Sequence, residues 1–200
     1  MGILLISCNS TQVISSYKDP KAQINEYRKI LVLGIFQQKD RAFRQETETQ
    51  LASRLKDLGY NAVTAMEEYG PKAFDKVPED QIAERVKSGG FDAVITTAVL
   101  DKKNQQNYNP GNVSYQPVGV SYNRFGRYYS TVYDRVYEPG YYTTSTDYVL
   151  ETNFYDGPTG NLISSVQTKS YDPSSAEALA HDNSKRIIQD LQDNAIIRKK

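Results

Sequence analysis

Apolar runs and amphipathic stretches alternate along the first half of the chain. Arg28–Phe36 (RKILVLGIF) and Phe91–Leu100 (FDAVITTAVL) are near-continuous apolar runs, the pattern of strands buried on both faces. Between them, Phe43, Thr47, Leu51, Leu55 and Leu58 recur at spacings of 4, 4, 4 and 3. They form one stripe of a helix over residues 39–58, with Glu46, Glu48, Arg54 and Lys56 on its wet side and Gly59 as its stop. Tyr60–Ala65 reads as a short strand followed by a loop through Tyr69-Gly70-Pro71. A second helix over residues 79–88 follows Pro78. Glu79 and Asp80 suit its N-terminal end, Ile82 and Val86 mark its buried side, and Ser88-Gly89-Gly90 ends it. The order is β-α-β-α-β, and right-handed crossovers make it a mostly parallel core.

The pattern changes after Leu100. Residues 101–142 are rich in Asn, Gln, Gly, Pro and Tyr and read as a long loop or protruding hairpin, with Pro139-Gly140 turning Thr131–Glu138 back on Tyr141–Leu150. Tyr148–Asp156 and Leu162–Ser170 alternate around Gly157-Pro158-Thr159-Gly160-Asn161, an antiparallel hairpin. A last helix spans residues 174–195. Ser174 and Glu177 match a capping box, Leu179, Ile187, Leu191 and Ala195 fall at helical spacing, and Arg198-Lys199-Lys200 places positive charge near the helix C-terminus. The fold class expected is α/β, a two- or three-layer sandwich. Its mixed sheet has a parallel β-α-β-α-β core extended by antiparallel hairpins, with a C-terminal helix. Three regions follow: 1–8, 9–27 as a polar tether and edge segment, and 28–197 as a single domain carrying the 101–142 insertion.

Composition narrows the function. The 200 residues hold 24 Lys+Arg and 24 Asp+Glu, so no global basic field exists for a phosphate backbone, and nucleic acid is not expected as a partner. One Cys and one His leave no intrachain disulfide and almost no Cys/His zinc site.

The single cysteine sits in Leu5-Ile6-Ser7-Cys8, after the apolar start Met1–Leu4 and before polar Asn9-Ser10-Thr11-Gln12. This resembles a bacterial lipobox, with Leu at −3, a small residue at −1 and a thiol to take the diacylglyceryl group. Asn9 after the cysteine is compatible with outer-membrane sorting. A signal peptide carries a basic n-region and an apolar stretch of about 7–15 residues. Only five apolar-leaning residues precede Ser7, which a truncated or displaced start would explain. The other reading is a buried cysteine in a short N-terminal strand.

The order of several weak motifs also resembles a family. Ser16-Tyr17-Lys18-Asp19-Pro20, the strand Lys29–Gly34, Leu58-Gly59-Tyr60-Asn61-Ala62-Val63, Ser88-Gly89-Gly90-Phe91-Asp92-Ala93-Val94, Glu151-Thr152-Asn153-Phe154-Tyr155-Asp156 and Thr159-Gly160-Asn161-Leu162 are similar to bacterial envelope lipoproteins of unknown function, the DUF4136-like proteins. The likeness covers roughly residues 14–197. Ser164 or Ser165 stands where a Trp is common in that family. The fold is also similar to the N-terminal domain of TolB and to penicillin-binding-protein activator lipoproteins, a likeness that carries little about function. The family implies no catalytic residues.

The residues themselves give little reason to expect an enzyme. His181 lies beside Asp182 in the last helix, no Ser stands in a nucleophile elbow, and a solvated helix histidine is the expectation. Glu67-Glu68 and Glu79-Asp80 are adjacent in sequence, which does not make carboxylates converge. No phosphate-binding loop is present, and Gly119–Gly126 lacks dinucleotide spacing. Asp101, Asp134 and Asp156 are oxygen donors, and the Asp156–Asn161 loop lacks the order of a calcium loop. No catalytic residue, metal or cofactor is expected.

Tyrosine is unevenly spread. Tyr108, Tyr115, Tyr122, Tyr128, Tyr129, Tyr133, Tyr137, Tyr141, Tyr142, Tyr148 and Tyr155 are 11 of the 16. Tyr122, Tyr128, Tyr129 and Tyr133 interleave with Arg124, Arg127 and Arg135, and these seven are the candidate binding residues. Tyrosine offers a rigid apolar face with a polar tip, enriched at interfaces. The segment fits a wet-faced strand pair, a protein-binding surface or a glycan-binding surface; Asp134 and Glu138 count against nucleic acid. The expected function is a non-catalytic interaction or assembly module on the periplasmic side of the cell envelope, in the outer membrane, anchored through Cys8, with envelope proteins or cell-wall glycan as partners. The alternative is a small-ligand or glycan-binding protein using the Tyr segment and the C-terminal ends of the parallel strands near Phe36 and Leu100. A hydrolase built on carboxylates alone is the third reading.

Overall fold

The computed structural model describes residues 11–22, 24, 26–36, 40–71, 79–109 and 141–200, with backbone alone for 79–83, 105–109 and 141–144. The chain divides into two compact units, residues 1–103 with 146–200 and residues 104–145.

The elements are β1 (Thr11–Lys18), β2 (Lys29–Ile35), α1 (Arg41–Asp57), β3 (Asn61–Thr64), α2 (Ala65–Tyr69), α3 (Glu79–Ser88), β4 (Ala93–Asn109), β5 (Tyr141–Asp156), β6 (Leu162–Ser170) and α4 (Ala176–Asp193). Six strands form one mixed sheet in the order β1-β6-β5-β4-β2-β3. β2 pairs parallel with β3 and with β4. β6 pairs antiparallel with β5 and with β1. The β-α-β-α-β core, the β5–β6 hairpin and the C-terminal helix are those expected from the hydrophobic pattern.

The apolar run of β2 is buried on both faces. Ile30 and Val32 pack with Ala62, Ile95, Leu51 and Leu55 of α1, and Ile187 and Leu191 of α4. Leu31 faces the other way, toward Ala65, Val86 of α3, Phe91 and Val94. Helices therefore cover both faces of β3-β2-β4. Over β5-β6-β1, α4 covers one face, and no helix among the described residues covers the other. Beneath α4 the sheet turns polar and pairs its own hydroxyls. Thr97 and Thr152 Oγ1 lie 3.0 Å apart, Thr11 and Ser170 hydroxyls 2.7 Å apart, and Thr168 donates to Asn183 Oδ1 at 2.5 Å. Such pairing removes the cost of burying them.

Several local expectations are corrected. Within the 9–27 tether and edge segment, residues 11–18 form an edge strand, β1, since short Ser, Thr and Gln side chains suit a strand with a wet face. Residues 65–69 are helical rather than loop. Thr64 accepts from Glu67 N–H at 3.1 Å while Glu67 Oε2 accepts from Thr64 N–H at 3.0 Å, a reciprocal cap. The cap of α4 is Ser175, which accepts from Ala178 N–H at 3.0 Å, not Ser174. β4 continues to Asn109, and Tyr141–Asp156 is one strand rather than parts of two hairpins. The basic tail does not serve the end of α4. Lys18 Nζ does, donating to Asn194 O at 2.7 Å, while residues 195–200 fold back across the core. Glu48, assigned to the wet side of α1, is 1% exposed.

Candidate functional site

The candidate residues Cys8, Tyr122, Arg124, Arg127, Tyr128, Tyr129, Tyr133 and Arg135, together with Asp134 and the strand expected at Thr131–Glu138, lie outside the described residues. The other candidates are placed. His181 is exposed on α4, with Arg54 Nη2 3.3 Å from each ring nitrogen, across the α1–α4 contact. Glu67 is occupied by the cap of α2, and Glu68 pairs with Lys29 at 3.7 Å. Glu79 and Asp80 begin α3. Asp101 is exposed on β4. Asp156 Oδ2 accepts from the Thr159 N–H at 3.0 Å and hydroxyl at 2.6 Å, so the Asp156–Asn161 loop uses that oxygen to close its own turn. Among the described residues no group of three or more His, Cys, Asp or Glu is placed to hold a metal ion.

Glu48, the least exposed carboxylate among the described residues, was missed in the sequence. Glu48 Oε1 accepts from Gly34 N–H at 2.9 Å and Oε2 from Met66 N–H at 3.3 Å, with Arg44 Nε 3.9 Å from Oε1. Burial raises its carboxyl above the ordinary value, opposed by the two N–H bonds and the Arg44 charge. Its oxygens are turned onto backbone, at the ends of β2 and β3, rather than into a cavity. The signal was present: positions 48, 51, 52 and 55 share one helical face, all buried, and the charge of Glu48 masked it.

Two cavities and one strand edge among the described residues stand apart from these side chains. The larger cavity, about 600 Å³, lies at the N-terminal ends of the parallel strands between Tyr27, Tyr60 and the tail. Its polar groups are matched to one another. The Tyr60 hydroxyl donates to Arg198 O at 2.9 Å, Lys200 Nζ donates to Tyr27 O at 2.6 Å, and Arg198 pairs with Glu26 at 3.8 Å.

A smaller cavity, about 330 Å³, opens where the sequence placed a ligand end, at the C-terminal side of the parallel strands. It is bounded by Asp40 and Phe43 at the start of α1, Val99 and Lys102 of β4, Tyr148 of β5 and Leu179 of α4. Phe36 meets Phe43 edge-on at 5.0 Å, and Phe43 lies 6.1 Å from Tyr148. Leu100, by contrast, is exposed.

The third feature is β1. Val13, Ile14 and Tyr17 are 39%, 50% and 49% exposed, with a register shift between Val13 and Ser15. Edge strands are ordinarily blunted by proline or outward charge. β1 has no proline, and its one charge, Lys18, is turned onto the end of α4.

No family model matches the chain, so its likeness to DUF4136-like lipoproteins stands on the motifs alone, and no curated protein matches it either. Solved structures are similar in shape. A PelC dodecamer from Paraburkholderia phytofirmans matches with a TM-score of 0.49 at 13% identity, covering 91% of this chain and 97% of that one. Lipoprotein GNA1162 from Neisseria meningitidis matches with a TM-score of 0.44 at 14% identity, covering 83% and 99%. A putative neuraminyllactose-binding hemagglutinin homolog from Helicobacter pylori matches with a TM-score of 0.36 at 10% identity, covering 90% and 97%. No helix among the described residues is long and apolar enough to cross a membrane.

Proposed function

We propose that the protein is a non-catalytic interaction module of the bacterial envelope, held at the periplasmic face of the outer membrane by a lipid on Cys8. In this reading its edge strand β1 receives a strand from an envelope protein. The observation that carries the reading is the open edge. Seven of the eight residues of β1 pair with β6, the strand has no second neighbour among the described residues, and it presents three exposed apolar side chains without proline or outward charge, which suits strand addition.

The tether supports it. Cys8 is three residues before Thr11, and consecutive Cα atoms are about 3.8 Å apart, so a lipid on Cys8 holds the start of β1 within about 11 Å of its attachment point. A partner in or on the same membrane would then meet this edge first. The non-catalytic reading is supported by the fate of the titratable groups: Glu48 is spent on backbone N–H groups and His181 on the α1–α4 contact.

The test is photo-crosslinking in native envelopes with a probe at position 14 or 17, combined with intact mass measurement of the protein. Adducts with one envelope protein at both positions, and a diacylglyceryl-modified Cys8, are expected. An unmodified Cys8, or no protein adduct from either position, would overturn the proposal.

A further inference from the structure

The cavity between the first turns of α1 and α4 is independent of β1 and of the lipid, and its chemistry is specific. Its floor is apolar, formed by Phe43, Val99, Tyr148 and Leu179. Two opposite charges border that floor. Lys102 Nζ lies 5.1 Å from the Tyr148 ring centroid, and Asp40 stands at the N-cap of α1 with no side-chain cap bond. The two border one cavity, and among the described residues neither forms a salt bridge with the other or with a third group.

We propose that this cavity binds a small zwitterion with an apolar side chain, of the class of a free aliphatic or aromatic amino acid. The ligand carboxylate meets Lys102, its ammonium meets Asp40, and its side chain lies on Phe43, Val99 and Leu179.

The other ligand classes fit less well. A simple anion would be drawn to Lys102 but repelled by Asp40, and a simple cation the reverse. A neutral apolar molecule would desolvate both charges without pairing either. A zwitterion satisfies both groups and covers the apolar floor. The positive end of α4, whose cap Ser175 and first residue Ala176 line the cavity, adds to the pull on the carboxylate. A volume of about 330 Å³ is at the small end of ligand sites, which run from about 300 to 1,000 Å³. The position, outside the carboxyl ends of parallel strands, is where open α/β sheets hold ligands.

The test titrates the full chain with leucine or phenylalanine, and in parallel with 4-methylpentanoate, which lacks the ammonium, and 3-methylbutylamine, which lacks the carboxylate. Binding is read by amide chemical shifts. Saturable shifts at Ala42, Lys102 and Ala176 are expected with the amino acids, and about tenfold weaker binding with each half-molecule, the worth of one charge-assisted contact. Asp40→Asn should weaken the amino acid about tenfold and leave 4-methylpentanoate binding no weaker. Lys102→Met should weaken the amino acid and leave 3-methylbutylamine no weaker. Lys102 is exposed and Asp40, half-buried, makes no cap bond, so neither substitution removes a contact of the fold's core. No saturable shift with either amino acid, half-molecules that bind as tightly as the whole, or variants that leave amino-acid affinity unchanged would each overturn the proposal.

Discussion

Glu48 shows how one side chain can join three elements. Projecting from α1, it takes the buried Gly34 N–H at the end of β2 and the half-buried Met66 N–H at the start of α2. Glu48→Ala leaves both orphaned, and at about 1–3 kcal/mol each it should cost roughly 2–6 kcal/mol in urea unfolding. The pH dependence has a definite sign. Burial raises the folded-state pKa of Glu48 above 4.5, with Glu67 adding to the rise and Arg44 opposing it. A carboxyl that holds its proton more tightly when folded contributes its full stability below the unfolded pKa and loses it as pH rises through the folded value. The stability of the native chain relative to Glu48→Gln should therefore be greatest near pH 4 and fall toward pH 7. Asp190, also raised by burial, is common to both proteins and cancels in the difference. A difference that stays flat or grows with pH would contradict this account of Glu48.

Among the elements, the turn between β5 and β6 is held to the start of β4 by backbone alone. Gly157 N–H donates to Asp92 O at 2.8 Å, and Asp92 Oδ2 accepts from the N–H groups of Arg28 and Lys29 at 2.8 Å each. One junction thus joins the starts of β2 and β4 to the end of β5. A Cβ at Gly157 would collide with the Phe91 carbonyl oxygen and lie 2.9 Å from the Asp92 carbonyl carbon, and no rotamer change relieves a backbone clash. Gly160 has φ +72° and nothing within 4 Å of a new Cβ, so Gly160→Ala meets only left-handed strain, about 1–2 kcal/mol. Thermal unfolding should rank Gly157→Ala well below Gly160→Ala, and equal losses would refute the clash. The five-residue loop and the two long parallel strands, β2 and β4, were legible in the sequence because apolar runs and turn residues are local signals. The cap of α2 was legible too, as Thr64-x-x-Glu67, but lay hidden in a segment read as strand and loop. The small cavity was half legible. Its position followed from strand direction, whereas Tyr148 and Leu179 come from distant segments that only packing brings to Phe43.

At the scale of the whole molecule, α4 and the residues after it tie the two edges of the sheet together. At the β1 edge, Arg186 Nε donates to Thr11 O at 3.1 Å and Asn194 Nδ2 to Ser16 Oγ at 3.2 Å. Past α4 the chain crosses to the β3 side, where Lys200 N–H donates to Leu58 O at 2.9 Å and Arg198 N–H to the Tyr60 hydroxyl at 3.0 Å. Ile196 and Ile197 are each 3% exposed and belong to the same core as Ile30, Leu51 and Ile187. The sequence suggested only a basic tail near a helix end, since two isoleucines beyond a helix carry no period. Their burial makes the tail part of the fold. Buried Ile→Ala substitutions cost about 2–5 kcal/mol each, against a typical domain stability of about 5–15 kcal/mol. The double variant Ile196→Ala/Ile197→Ala should lower Tm by about 10 °C or more. Because the tail and β1 share α4 as their support, amide exchange should quicken in β1 as well as in β3. A variant that melts within about 3 °C of the native chain, or one whose faster exchange stops at β3, would show that the tail only covers the core and does not join its edges.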